Sequence, residues 1–142
     1  TCHKHFPNCS IAILAAAVSD YTIAKPSDKK IKKKTNTLTL ELKKTKDILR
    51  SLGAVKNKNQ TLIGFALETN NEVENAQKKL KKKNLDFIIL NSLQDEGAGF
   101  QHDTNKISIL DKNNKITKFE LKPKTLVAKD IVAYLKAYLQ IK

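Results

Sequence analysis

An apolar run with no polar alternation, Ile11-Ala12-Ile13-Leu14, leads straight into Ala15-Ala16-Ala17-Val18-Ser19-Asp20-Tyr21. A half-wet strand alternates; a run that does not is expected to be covered on both faces, as in parallel sheets. It predicts a buried strand over residues 10–18 of an α/β sheet. In open sheets of that kind ligands bind beyond the carboxyl ends of the strands. Small alanines, a carboxylate and a tyrosine occupy that place here. Past Pro26 come Lys29-Lys30 and Lys32-Lys33-Lys34, with almost nothing to bury. The pattern suggests a pocket rim followed by a mobile basic flap.

The chain has 142 residues, enough for one domain with a real core, and is 40% hydrophobic, as a globular protein is. No apolar run approaches the roughly 20 residues of a membrane helix. No signal peptide is visible, so no membrane association and a cytoplasmic location are expected. The chain opens at Thr1 within what reads as a helix-to-strand connection, which suggests a piece of a longer protein.

The net charge of +13 first suggests an anionic partner, and a basic nucleic-acid-binding module is one reading of it. However, the basic residues are 26 lysines and a single arginine, Arg50. Readers of base edges favour the arginine fork. The run at 29–34 also lacks the interleaved aromatics of a single-strand binder. Solvated lysine faces account for most of the charge, and no nucleic-acid partner is expected. Cys2 and Cys9 flank His3 and His5 at no common zinc spacing, so they read as reduced thiols.

Several further elements are expected. Thr37 to Lys43 alternates, with Leu38, Leu40 and Leu42 inward. Lys46 to Leu52 reads as a short helix stopped by Gly53 at its C-cap. Thr61 to Leu67 is an apolar strand carrying Gly64, which marks close approach of a ligand or backbone. Thr69 and Glu72 fit a capping box for a helix from Asn70 to about Lys83, with Val73, Ala76 and Leu80 on its inner face. Phe87 to Leu90 is another buried strand, and Gly97-Ala98-Gly99-Phe100 is a loop. Lys106 to Leu110 and Ile116 to Leu121 form a hairpin through Asn113-Asn114. A last helix from about Thr125 buries Val127, Ile131, Tyr134 and Tyr138. The alternation predicts an α/β fold with helices on the sheet faces.

Candidate chemistry gathers after strand ends. Asp20 suits a ribose hydroxyl or a magnesium ion, or equally a turn. Phe65, beside Gly64, suits stacking on a nucleobase, or an ordinary core position. Lys79 and Lys83 share a helix face and suit a polyphosphate, although lysines near a helix C-terminus also complement the macrodipole. The five lysines between 78 and 83 leave that pair unresolved. Gly97 to Phe100 fits neither the Walker A pattern nor the dinucleotide fingerprint, and His102 reads as a loop residue.

Read in order, the motifs A-A-A-V-S-D-Y, K-I-K-K, L-x-K-T-K-D-I-L, G-F-A-L-E-T, K-N-L-D, N-S, G-A-G-F and D-T-N-K resemble phosphopantothenoylcysteine synthetase. That is the ligase half of the bifunctional coenzyme A biosynthesis flavoprotein. The likeness runs from about Ile11 to Leu135. It implies a Rossmann-like three-layer α/β/α fold with a mostly parallel sheet and a C-terminal hairpin. It also implies ligation of 4′-phosphopantothenate to L-cysteine through an acyl-cytidylate, with magnesium. Most bacterial members use CTP and eukaryotic ones ATP; the bacterial look of the motifs favours CTP.

Carried over position by position, the resemblance places Ala17 and Asp20 in the nucleotide pocket and makes Lys30 a flap lysine that touches phosphates and aids turnover. Lys46, Asp47, Ile48 and Leu49 would hold the nucleotide by their backbone. Phe65 would line the pocket, and Lys79 and Lys83 would meet the triphosphate. No residue is assigned to a metal. Two departures stand out: Thr45-Lys46 replaces a frequent Asn-Pro, and Ser19 replaces a common alanine. The family's glycine-rich phosphate loop, an asparagine-bearing segment and the FMN-dependent decarboxylase domain all precede the matching region. Residues 1–142 are thus expected to be the C-terminal part of the ligase domain, to pair as a homodimer, and not to turn over alone.

Overall fold

The computed structural model describes residues 1–32, 36–92 and 102–140. Lys33, Lys34 and the segment Gly97-Ala98-Gly99-Phe100 lie outside the described residues. A short helix α1 (Cys2–His5) and a 3-10 turn (Phe6–Asn8) lead into β1 (Ile11–Leu14). β2 (Tyr21–Ile23) and β3 (Leu42–Lys44) form a separate antiparallel ribbon. Then come α2 (Ile48–Val55), β4 (Thr61–Glu68), α3 (Glu72–Lys82) and β5 (Phe87–Ser92). The chain closes with β6 (Thr104–Asn105), β7 (Ile107–Asp111), β8 (Ile116–Lys118), β9 (Lys122–Pro123) and α4 (Lys124–Tyr138).

The main sheet has the order β1-β4-β5-β7-β8. β1, β4 and β5 are parallel, while β7 and β8 are antiparallel additions. Alternation within the strands divides the core in two. Leu62 and Ala66 of β4 and Ile88 and Leu90 of β5 face α2 and α3, where they meet Leu52, Ala76 and Leu80. Ile63, Phe87, Ile89, Ile107 and Ile109 face the other way, onto Val127, Ile131 and Leu135 of α4. The result is the expected three-layer α/β/α arrangement, with a mixed sheet that is parallel where β1, β4 and β5 adjoin. The β7–β8 hairpin turns where expected: Asn114 takes φ 64°, and the Asp111 carboxylate accepts from the backbone N–H of Asn113 and Lys115 at 2.8 and 3.0 Å.

Several local expectations are corrected. β1 has four residues and is not covered on both faces: Ala12 and Leu14 pack on the core, but Ile11 and Ile13 are 37% and 43% exposed. Among the described residues β1 is the sheet edge, and α4 lies over β4, β5 and β7 instead. The alternating segment at 37–43 is a strand only from Leu42. Leu42 is exposed because the two-stranded ribbon has no layer over it among the described residues, and Leu38 and Leu40, on the irregular stretch before it, are exposed as well. Gly53 is not a C-cap. It lies buried inside α2, where a Cβ would stand 1.9 Å from the Lys83 carbonyl oxygen. Gly64 makes room for a side chain, Leu49, rather than for a backbone or ligand. α3 starts after Asn71, which sits at φ 46°, so Thr69 is not its N-cap; Val73 is exposed. In α4, Leu135 joins the core, and Tyr134 and Tyr138 meet Phe87 edge-on at 5.3 and 5.5 Å.

One buried carboxylate joins many of these parts. Asp86 Oδ2 accepts from the Leu62 N–H and from Lys56 Nζ, both at 2.8 Å. The Lys56 and Asp86 side chains are 10% and 8% exposed. Removing one partner of a buried pair leaves the other charge uncompensated. Asp86→Ala is therefore expected to lower unfolding free energy by about 3 kcal/mol in urea titration. A midpoint equal to that of the unsubstituted chain would contradict this.

Candidate functional site

A cavity of about 610 Å³ opens at the carboxyl ends of β1 and β4. The fold explains each wall. β1 ends at Leu14, and the small side chains of Ala15, Ala16 and Ala17 leave the backbone accessible. Phe65 comes from the adjacent strand β4. Lys79 and Lys83 descend from the last turns of α3, one helical turn apart. Thr45 to Leu49, the connection into α2 with the first residues of that helix, adjoins those lysines and completes the lining together with Asp20. Beyond the alanine segment a second space of about 270 Å³ shares Leu14 to Ala17 and Phe65, and reaches Asn91, Asn105 and Lys124.

Hydrogen bonds fix the rim. Thr45 Oγ1 donates to the Ser19 carbonyl at 2.6 Å, and the Thr45 N–H donates to the Asp20 carbonyl at 2.9 Å. These bonds tie the Asp20 loop to the α2 connection. Asp47 caps α2 by accepting from the Arg50 N–H at 2.9 Å, and its other oxygen lies 3.1 Å from Lys83 Nζ. Partial burial pushes the Asp47 carboxyl up, but the Arg50 N–H and the Lys83 ammonium outweigh it, so the group is held below its ordinary value of 3.8. Lys79 Nζ lies 2.6 Å from Glu68 Oε1, and that carboxylate is nearly buried at the end of β4.

The structure brings Ala17, Asp20, Lys46, Asp47, Ile48, Leu49, Phe65, Lys79 and Lys83 to one cavity wall. Lys30 is not there: it sits exposed on the connection after β2, outside the cavity lining. Sequence reasoning missed Thr45, which carries no local signal for its bonds. It also passed over Glu68, although a carboxylate at the end of G-F-A-L-E-T, beside a strand terminus, was there to be read. Among the described residues no group of three or more His, Cys, Asp or Glu could hold a metal ion. Cys2 and Cys9 are free thiols, and Cys2 reaches the cavity. No helix among the described residues is long and apolar enough to cross a membrane.

An edge-of-sheet cavity lined by small residues, an aromatic ring and paired lysines has the position and lining that ligand clefts have in open α/β domains. The model of the DNA/pantothenate metabolism flavoprotein C-terminal domain matches residues 1–139, and the chain belongs to that family. It is 58% identical over 127 residues, 89% of its length, to a "Cysteine/Cysteine sulfinic acid decarboxylase" from an unspecified prokaryote, covering 35% of that relative. It is 42% identical over 127 residues to the coenzyme A biosynthesis bifunctional protein CoaBC of Bacillus subtilis (strain 168), covering 89% of this chain and 31% of that one. The chain therefore spans about a third of the length of the curated relatives it matches. Among solved structures, the C-terminal domain of a CoaBC protein superposes with a TM-score of 0.76 at 31% identity, over 99% of this chain and 60% of that domain.

The Asp47 contacts carry a pH dependence with a definite sign. A carboxyl depressed in the folded state stabilises the fold fully above its unfolded value and loses that contribution as pH falls through the folded value. Asp47→Ala is expected to cost about 1 kcal/mol at neutral pH, chiefly as a lost N-cap. In urea titrations, the gap from the unsubstituted chain should narrow below pH 3.8. A gap of equal size at pH 7 and near pH 3 would contradict the assignment.

Proposed function

We propose that this chain supplies the nucleotide-holding part of a phosphopantothenate–cysteine ligase in coenzyme A biosynthesis, with CTP as the nucleotide. The observation that carries the reading is the convergence of Lys79, Lys83, Phe65, Asp20 and the start of α2 on one cavity beside the alanine wall. The resemblance stated above and the family membership support it.

In the proposed reaction the phosphopantothenate carboxylate attacks the α-phosphorus of CTP. The bond to the bridging oxygen breaks, and pyrophosphate leaves with its electron pair. The amine of L-cysteine then attacks the acyl carbon; the C–O bond to CMP breaks and the amine gives up a proton. Lys79 and Lys83 hold the triphosphate and offset its charge, for which a compact ammonium is suited. The N–H groups of Ile48 and Leu49, in the first turn of α2, lack intrahelical partners and offer donors to a phosphate. Lys46 and Asp47 complete that wall. Phe65 and Ala17 shape the nucleoside end, and Asp20 accepts from it. Magnesium, when bound with CTP, would supply further positive charge against the triphosphate. Lys30, exposed and outside the cavity lining, keeps the role on the acyl-cytidylate that the resemblance implies.

The decarboxylase name belongs to a relative of which this chain covers 35%. Lys46, Lys79 and Lys83 suit the phosphates of a nucleotide, which supports the ligase reading for the present residues; FMN would belong with a decarboxylase domain outside them. A homodimer is proposed, supported by the uncovered apolar residues of the β2–β3 ribbon, Tyr21, Ile23 and Leu42. A monomer by light scattering of the folded chain would contradict it. A cytoplasmic setting goes with the same reading.

Calorimetric titration with CTP and with ATP, each with magnesium, tests the nucleotide claim. CTP should bind more tightly than ATP, and Lys79→Ala with Lys83→Ala should weaken CTP by at least about tenfold. A folded chain with no CTP binding would overturn it for this chain. Cysteine-dependent pyrophosphate release by the chain alone would overturn the expectation that it does not turn over by itself.

A further inference from the structure

We infer that Glu68 is a positioning residue for the polyphosphate lysine Lys79, an inference that rests on the nucleotide reading above. Lys79 lines the cavity, whereas Glu68 is not among the lining residues. A ligand in the cavity would therefore reach Lys79 rather than Glu68. The two are 2.6 Å apart, with the Glu68 side chain 12% exposed and that of Lys79 44% exposed.

Glu68 is itself well anchored. It ends β4, pairs in register with Ser92 of β5, and has Asn75 Nδ2 3.4 Å from its second oxygen. Asn75 in turn donates to the Asn70 carbonyl at 2.9 Å. The strand end, the turn before α3 and α3 itself thus converge on one carboxylate. A free lysine samples many rotamers, and a ligand must quench that freedom on binding. An ammonium has three donors. The Glu68 contact is an ion pair and not a formed hydrogen bond, since Glu68 Oε1 has no hydrogen-bond partner; the ammonium's donors stay available to a phosphate, so holding the side chain and binding the ligand are compatible.

The contrast with the neighbouring pair is informative. Asp47, the partner of Lys83, lines the cavity itself and is committed to capping α2. It meets the same ligand that its lysine meets. Glu68 instead ends β4 and is outside the cavity lining.

The test is a double-mutant cycle on the full chain with magnesium CTP at physiological salt, where exposed charges more than about 8 Å apart are largely screened from one another. Melting curves confirm folding of each variant. Glu68→Gln should weaken CTP about fivefold, and Glu68→Gln with Lys79→Ala should bind no more weakly than Lys79→Ala alone. Additive losses would mean that Glu68 acts on the fold rather than through Lys79, and tighter binding would mean that it competes for the lysine; either overturns the inference. In parallel, NMR relaxation of the Lys79 ε-methylene should report restraint relative to exposed Lys81, lost in Glu68→Gln. Equal mobility in both proteins also overturns it. Absence of CTP binding with Lys79 still restrained would instead overturn the nucleotide reading and the role built on it, while leaving the Glu68 hold in place.

Discussion

The carboxylate of Asp86 is the contact on which the rest of the molecule depends. Its side chain accepts from the Leu62 N–H at the start of β4 and from Lys56 just after α2. Its backbone N–H donates to the Leu62 carbonyl, and its own carbonyl accepts from Lys112 beyond β7. The side chain of Lys112 and the Tyr138 hydroxyl, at the end of α4, come within 3.5 Å. A buried ion pair is weak evidence for net stability, but it tolerates few geometries. Here it fixes the amino ends of β4 and β5 against the exits of α2, the hairpin and α4. With that end pinned, the parallel register carries β1, β4 and β5 to the opposite end, where the cavity opens.

The cavity follows from that frame by subtraction. The strand ends carry alanines, so nothing bulky fills the cleft above Leu14. α2 approaches β4 closely because Gly64 yields space to Leu49, and α2 meets the end of α3 because Gly53 has no side chain to clash with the Lys83 carbonyl. Two glycines, neither in a turn, therefore bring the start of α2 and the lysines of α3 to the same wall. The cations are then held by carboxylates already in the structure, Glu68 for Lys79 and Asp47 for Lys83.

Much of the frame was legible because long apolar strands and helices announce themselves by period. β4, β5, the β7–β8 hairpin and α4 fall close to where periodicity puts them. The failures share a cause: periodicity reports a tendency to be covered, not the presence of a cover. Ile11 and Ile13 sit on an edge strand, Leu42 sits on an uncovered ribbon, and Leu38 and Leu40 lie on the irregular stretch before it. The glycines misled for a related reason. A local rule makes Gly53 a cap and Gly64 a ligand approach, and only tertiary contact makes them points of helix and strand proximity. At the site, local chemistry could nominate Asp20, Phe65 and the lysine pair, and the resemblance selected among lysines. The partners Thr45 and Glu68 were not reached, since each acts through residues distant in sequence or through another side chain. Lys30 was nominated from the flap motif and lies outside the cavity.

The most direct measurement is amide chemical-shift mapping of the labelled chain titrated with magnesium CTP. The account predicts shifts concentrated at Ala15 to Ala17, Ile48, Leu49 and Phe65, with the hairpin at β7 and β8 unmoved. Shifts confined to surface lysines away from that wall, or to the second space near Asn91 and Lys124, would contradict the assignment of the larger cavity as the nucleotide site.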